Sequence, residues 1–218
     1  MTGKEEVTGI ILAGGKSSRF GSNKALTRID GDRLIERLCR TVGSVTGQMM
    51  LITNTPEEYD FLELESRKDL VPRCGPIGGI FTALKTARTP LCLCVACDMP
   101  FVRPEFLEYM VERSPGSDVV VPVNDGREEP LCAVYRETCV PAIEDRIRAK
   151  RYKIAGFFDA VRVLRLVPEE GGFRDADQFF NINDRADYDE ALKRMTDQAR
   201  QADQARQTDQ ADQADQVR

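Results

Sequence analysis

Short apolar runs rich in β-branched residues alternate along the chain with longer stretches in which apolar positions recur every three to four residues. Val7–Ala13, Met49–Thr53, Leu91–Ala96 and Val119–Val123 read as strands, and Asp32–Val45, Pro56–Glu65, Gly78–Ala87 and Pro104–Arg113 as helices. Such alternation predicts an α/β fold with a mostly parallel sheet covered on both faces. Past Glu129 the order is less regular, with an apolar run Leu131–Tyr135, a helix near Thr138–Ala149, a strand Val161–Val167 and a last helix near Arg185–Met195. This half is expected to hold an antiparallel strand or hairpin. From about Thr196 the pattern ends in near-repeats of Asp-Gln-Ala, in which Val217 is the single aliphatic residue beyond alanine. Such a segment cannot bury a face, so residues 1–195 are expected to form one domain and 196–218 a polar tail, disordered or a frayed helix.

Composition narrows the chemistry. The 218 residues are 41% apolar and 31% charged, enough for one sizeable core. There is no histidine, which excludes Ser-His-Asp and Cys-His nucleophile pairs, a zinc-metalloprotease helix and an imidazole general base. A net charge of −5 has the wrong sign for bulk attraction to nucleic acid or an anionic membrane, so neither is an expected partner. The seven cysteines sit mostly in apolar runs and read as buried reduced thiols, which points to a reducing cytoplasm. Cys94 and Cys97 have redox spacing, but strand alternation splits them between faces and no second pair completes a zinc site. Near the start, Gly9–Ala13 is too brief for a signal sequence or a membrane span.

In open α/β sheets, chemistry belongs just past the carboxyl ends of the strands. After the first strand, Gly14 and Gly15 permit a tight turn and close backbone approach, and Lys16, Arg19 and Lys24 bring cations to the same loop. The set suits a polyphosphate, although its spacing is neither the P-loop nor the Rossmann pattern, and a merely solvated Gly-Ser loop remains open. Asp98, after Leu91–Ala96, is placed either to hold Mg²⁺ beside substrate phosphates or to cap the next helix. The turn Asp69–Ile80 precedes a helix Phe81–Ala87 whose N-terminus could face an anion or a base edge. Near the end, Phe180-Asn181-Ile182-Asn183-Asp184-Arg185 offers amides for a ligand or a helix cap.

Taken together, LAGGKSSRFGSNKAL, GPIGGI, ACDMPF, EPLCAVY and FNINDR resemble the molybdenum cofactor guanylyltransferase family, the MobA-like nucleotidyltransferases, over about Gly9 to Met195. The resemblance implies a three-layer α/β/α sandwich and the reaction of GTP with molybdopterin cofactor to give the guanine dinucleotide cofactor and pyrophosphate. It implies Mg²⁺ as cofactor, and molybdenum-cofactor assembly proteins and recipient molybdoenzymes as further partners. By motif it carries nucleotide-binding roles to Leu12, Ala13, Gly14, Gly15 and Lys24, and by loop position to Asn54 and Asp69. Asp98 matches the metal ligand and Asn183 a late asparagine that shares the metal in related enzymes. Asp98, Lys24 and Arg19 are the expected catalytic residues, with Lys16 behind them. The rival readings are a cytidylyl or sugar-1-phosphate nucleotidyltransferase and a non-catalytic GTP-binding assembly module.

Overall fold

The computed structural model describes residues 3–14, 23–29, 31–173, 176–197 and 200. In chain order the elements are β1 (Val7–Leu12), a hairpin of β2 (Arg28–Ile29) and β3 (Asp32–Arg33), α1 (Leu34–Gly43), β4 (Gln48–Ile52), β5 (Glu65–Arg67), α2 (Pro76–Thr86), β6 (Leu91–Ala96), α3 (Pro104–Glu112), β7 (Val119–Asn124), β8 (Arg127–Glu128), β9 (Cys132–Arg136), α4 (Val140–Arg148) and β10 (Val163–Leu166). A final helix, α5, covers 185–197.

Among the described residues, β10-β7-β9-β6-β1-β4-β5 form one sheet, with β8 added to β7. β1 pairs in parallel with both β4 and β6, while β9 runs antiparallel between β6 and β7. The expected antiparallel strand in the second half is therefore β9, and β7 with β8 makes a hairpin beside it. Every residue of β1 and of β6 is buried, as strands covered on both faces require. Alternation sends Val7 and Ile11 into a core under α1 and α3, and Ile10 and Leu12 into a core under α2 and α4, so the molecule is a three-layer sandwich. Leu34, Ile35, Leu38 and Val42 supply the buried stripe of α1. Cys94 and Cys97 fall in opposite cores, and all seven cysteines are free thiols.

The segment read as a helix over Pro56–Glu65 is instead a 3-10 helix, Pro56–Leu62, followed by the edge strand β5. Glu63 closes the 3-10 helix in the left-handed region at φ 53°, which turns the chain away before the helical pattern can continue. α2 begins earlier than expected, with Pro76 in its first turn and Gly75 before it at φ 67° and ψ −156°, a conformation suited to glycine.

A third, smaller core joins Ile29 and Leu34 to Phe101, Ile182, Tyr188 and Ala191, which fastens α5 to the β2–β3 hairpin and to the loop after β6.

Candidate active site

The carboxyl ends of β4, β1 and β6 lie side by side, and β1 and β6 flank the point where the strand order reverses. That is where an open α/β sheet parts to admit a ligand. A cavity of about 1050 Å³ opens there, lined by Leu12, Ala13 and Gly14 after β1, by Thr53, Asn54 and Thr55 after β4, and by Cys97 and Asp98 after β6. Gly75, Pro76 and Gly79 of the α2 start form another wall. A Cβ at Gly79 would stand 3.2 Å from Leu12 Cδ2 and 3.5 Å from Ile52 Cγ2, so glycine lets the helix approach the strand ends this closely.

The strand ends are fixed by the backbone itself: Ala13 N donates to Ile52 O, Cys97 N to Leu12 O and Ala96 N to Leu131 O. On this frame Lys24 reaches across the crevice to Asp98, with Nζ 2.6 Å from Oδ2. The same Nζ donates to Ile182 O at 3.1 Å, and Ile182 N donates to Asp98 O at 2.9 Å. The pair is only partly open, at 20% and 17% side-chain exposure, and Asp98 Oδ1 is buried with no hydrogen-bond partner among the described residues. Burial, followed by the Asp98 charge, pushes the adjoining Cys97 thiol up to about 12, so it stays protonated and is no nucleophile at neutral pH.

On the opposite side Asn54 Nδ2 donates to Asp69 Oδ2 at 2.9 Å, and Asp69 N donates back to Asn54 Oδ1 at 3.3 Å. Leu70 N donates to Thr82 Oγ1, which holds the Asp69 loop on α2.

Of the residues singled out in the sequence, Leu12, Ala13, Gly14, Lys24, Asn54, Asp69 and Asp98 converge on this cavity. Asn183 does not line it; its side chain is exposed and donates to Asn181 O, although its neighbour Ile182 touches both Lys24 and Asp98. Gly15, Lys16 and Arg19 lie outside the described residues. Lining residues not named individually from the sequence are Asn23, Arg73 and Leu131, which lie within LAGGKSSRFGSNKAL, the Asp69–Ile80 turn and EPLCAVY, and Thr55, Glu58 and Tyr59, which carried no signal. Asn23 is also a favoured capping residue directly ahead of Lys24. No group of three or more His, Cys, Asp or Glu side chains forms a self-contained metal site among the described residues.

A probable molybdenum cofactor guanylyltransferase of Pelotomaculum thermopropionicum is 40% identical over 185 residues, 84% of this chain and 90% of its own. A probable molybdenum cofactor guanylyltransferase of Carboxydothermus hydrogenoformans is 35% identical over 193 residues, 87% and 96% of the two chains. The crystal structure of molybdopterin-guanine dinucleotide biosynthesis protein A from Archaeoglobus fulgidus superposes with a TM-score of 0.76 at 28% identity, covering 87% of this chain and 99% of that one. The family model for the MobA-like NTP transferase domain matches residues 9–162, from the middle of β1 to the foot of β10, and the chain belongs to that family.

Proposed function

We propose that the protein transfers GMP from GTP to the terminal phosphate of molybdopterin cofactor, releasing pyrophosphate. The observation that carries this reading is the cation and carboxylate pair of Lys24 and Asp98 at the strand ends of a cavity large enough for a nucleoside triphosphate. An oxygen of the pterin phosphate attacks the α-phosphorus of GTP; the new O–P bond forms as the bond to the bridging oxygen breaks, and its electron pair departs with pyrophosphate. The attacking oxygen is already an anion and needs no general base, which agrees with a chain that has no histidine. What the protein must supply is alignment of two repelling anions and neutral surroundings for the gathering charge.

Lys24 provides a cation for the phosphates, with Arg19 five residues before it in sequence. The backbone of Leu12–Gly14 and the Asn54–Asp69 pair face the cavity and suit guanine, which offers N1–H and an amino group as donors and O6 as acceptor. A base lacking those groups would leave these polar atoms unmatched on binding.

The residues also fit a hard divalent cation. Asp98 Oδ1 is a buried oxygen with no partner among the described residues, and one carboxylate with substrate phosphates is the usual setting for Mg²⁺. Asp98 would hold the ion, and Asn183, in the loop ahead of α5, would need to turn from Asn181 to join it. Bound there, Mg²⁺ supplies charge neutralisation at the α-phosphate. Free cysteines throughout the chain support a reducing cytoplasm as the setting, and no helix among the described residues is long and apolar enough to cross a membrane.

Pyrophosphate release from GTP and molybdopterin tests the reading. Lys24→Ala and Asp98→Ala are expected to lower turnover by about 10²- to 10³-fold, the scale of losing one preorganised charge contact. Calorimetry in Mg²⁺ showing CTP or UTP bound as tightly as GTP, or equal turnover by wild type and Asp98→Ala, would overturn it.

A further inference from the structure

A hydrogen-bonded tether behind Lys24 serves none of the roles proposed for the site. Asn23 Nδ2 donates to Glu58 Oε2 at 2.6 Å and to the Tyr59 hydroxyl at 2.8 Å. The Tyr59 hydroxyl donates to Asn23 Oδ1 at 3.2 Å, and the same oxygen accepts from Ala25 N at 3.2 Å. Asn23 therefore caps the 3-10 turn Lys24–Leu26 with one end of its amide and grips the Pro56–Leu62 helix with the other. That helix follows β4, so the turn that carries Lys24 is pinned to the far wall of the cavity.

Tyr59 is built to hold its end still. The residue is 3% exposed and packs in the core that contains Ala25, Leu38 and Leu51. Burial pushes its phenol up to about 12, so the hydroxyl keeps its proton at neutral pH and stays a donor. A polar cluster of this kind costs desolvation to assemble and is retained where it fixes a geometry.

We propose that Tyr59 and Glu58, acting through Asn23, position the Lys24 ammonium for the nucleotide triphosphate. The turn fixes where the Lys24 stem begins, and the stem's length then decides whether Nζ reaches a phosphate or stays on Asp98. A displacement of about 1 Å at the root is enough to matter in a site that works by alignment. These three are positioning residues, since none is assigned a contact with the reacting atoms. The inference rests on the assignment of Lys24 to phosphate in the preceding subsection.

Calorimetric binding of GTP in Mg²⁺, without pterin, separates the two. Tyr59→Phe keeps the ring and removes the hydroxyl; it is expected to weaken GTP binding by about 3- to 10-fold, the scale of one net hydrogen bond, while the melting temperature holds. Asn23→Ala and Glu58→Ala are expected to weaken GTP binding in the same way, and Glu58→Gln, which keeps an acceptor oxygen, to recover most of the Glu58→Ala loss. The deciding measurement is the combination with Lys24→Ala, in which Tyr59→Phe should add no further loss because its route of action is gone. Equal losses with and without Lys24, or normal binding by both Tyr59→Phe and Asn23→Ala while Lys24→Ala binds weakly, would overturn the tether alone. Normal binding and turnover by Lys24→Ala would instead remove the phosphate assignment on which the tether depends.

Discussion

With its ammonium 2.6 Å from Oδ2 of Asp98, Lys24 neutralises the very carboxylate that a divalent ion would use. Both cannot sit there comfortably: an ammonium and a doubly charged ion on one carboxylate repel strongly in a partly buried cleft. A triphosphate resolves the conflict by giving Lys24 a second anion, so metal and nucleotide binding should favour one another through this side chain. Removing the lysine has two opposite consequences. Lys24→Met is expected to bind Mn²⁺ without nucleotide about tenfold more tightly than wild type, read by the electron paramagnetic resonance of free Mn²⁺, and Asp98→Asn to abolish the gain. It is also expected to lower metal-free stability by about 1–2 kcal/mol, since a half-buried carboxylate loses its partner, and Mn²⁺ should restore that loss. Equal Mn²⁺ affinity in both proteins would disprove the exchange. Asp98 is readable in the sequence because it stands just past a continuous apolar strand, and Lys24 because it is one of three cations in the glycine-bearing loop after another. The burial of their pair is not readable, because it depends on Ile182, 158 residues from Lys24 along the chain, closing over both.

At the scale of elements, what the sequence leaves out follows a rule. β1, β6 and α1 are visible because their burial is continuous or periodic and local in sequence. β5 is Glu-Ser-Arg, with nothing apolar to announce a strand, and it exists because β4 offers it a parallel partner from Met50 to Ile52. The β2–β3 hairpin had an Asp-Gly signal in Asp30-Gly31 and a Gly31 φ of 88°, yet its two-residue strands are shorter than any periodicity can report. The far end of the sheet depends on a similar long-range pairing. Asp118, 8% exposed, accepts from Thr138 Oγ1, from Arg162 N and from both Nε and Nη2 of Arg162, tying the starts of β7, β10 and the helical segment before α4. The Arg162 hydrogen bonds hold its carboxyl well below the usual carboxylate range. Because the folded-state value lies under the unfolded one, the carboxylate's stabilisation is complete above about pH 4 and is lost as pH falls from there toward the folded value. Asp118→Ala is expected to cost about 2–4 kcal/mol in urea unfolding at pH 7, and to flatten the fall in stability below pH 4. A loss near zero at pH 7, with an unchanged acid limb, would show that Arg162 and Thr138 find water as good a partner.

For the molecule as a whole, α5 decides how much of the C-terminal region the catalytic domain needs. The helix looks peripheral in sequence, yet Tyr188 and Ala191 are buried against Ile29, Leu34 and Phe101, with Leu192 and Met195 packed on the same cluster. The Tyr188 hydroxyl donates to Arg28 O at 2.6 Å, and Arg194 pairs with Asp177 and Glu190 and lies over the Phe180 ring. These contacts hold the segment that delivers Ile182 to Lys24 and Asp98, so the helix acts on the site through its anchor. Beyond Met195 the chain supplies Thr196, Asp197 and then Gln, Ala and Arg in polar near-repeats, and residues 198–199 and 201–218 lie outside the described structure. We propose that the domain boundary falls at this last apolar contact. A chain ending at Met195 is therefore expected to keep its melting temperature and its GTP turnover. A chain ending at Asp184 loses four apolar side chains from the third core, about 5 kcal/mol of burial, which is comparable with the whole stability of a domain this size. It should unfold or lose GTP binding, and calorimetric scans of both truncations beside the full chain decide the matter. If the chain ending at Met195 lost turnover while remaining folded, the polar repeats would have to touch the site or a substrate, and the boundary would move beyond Met195.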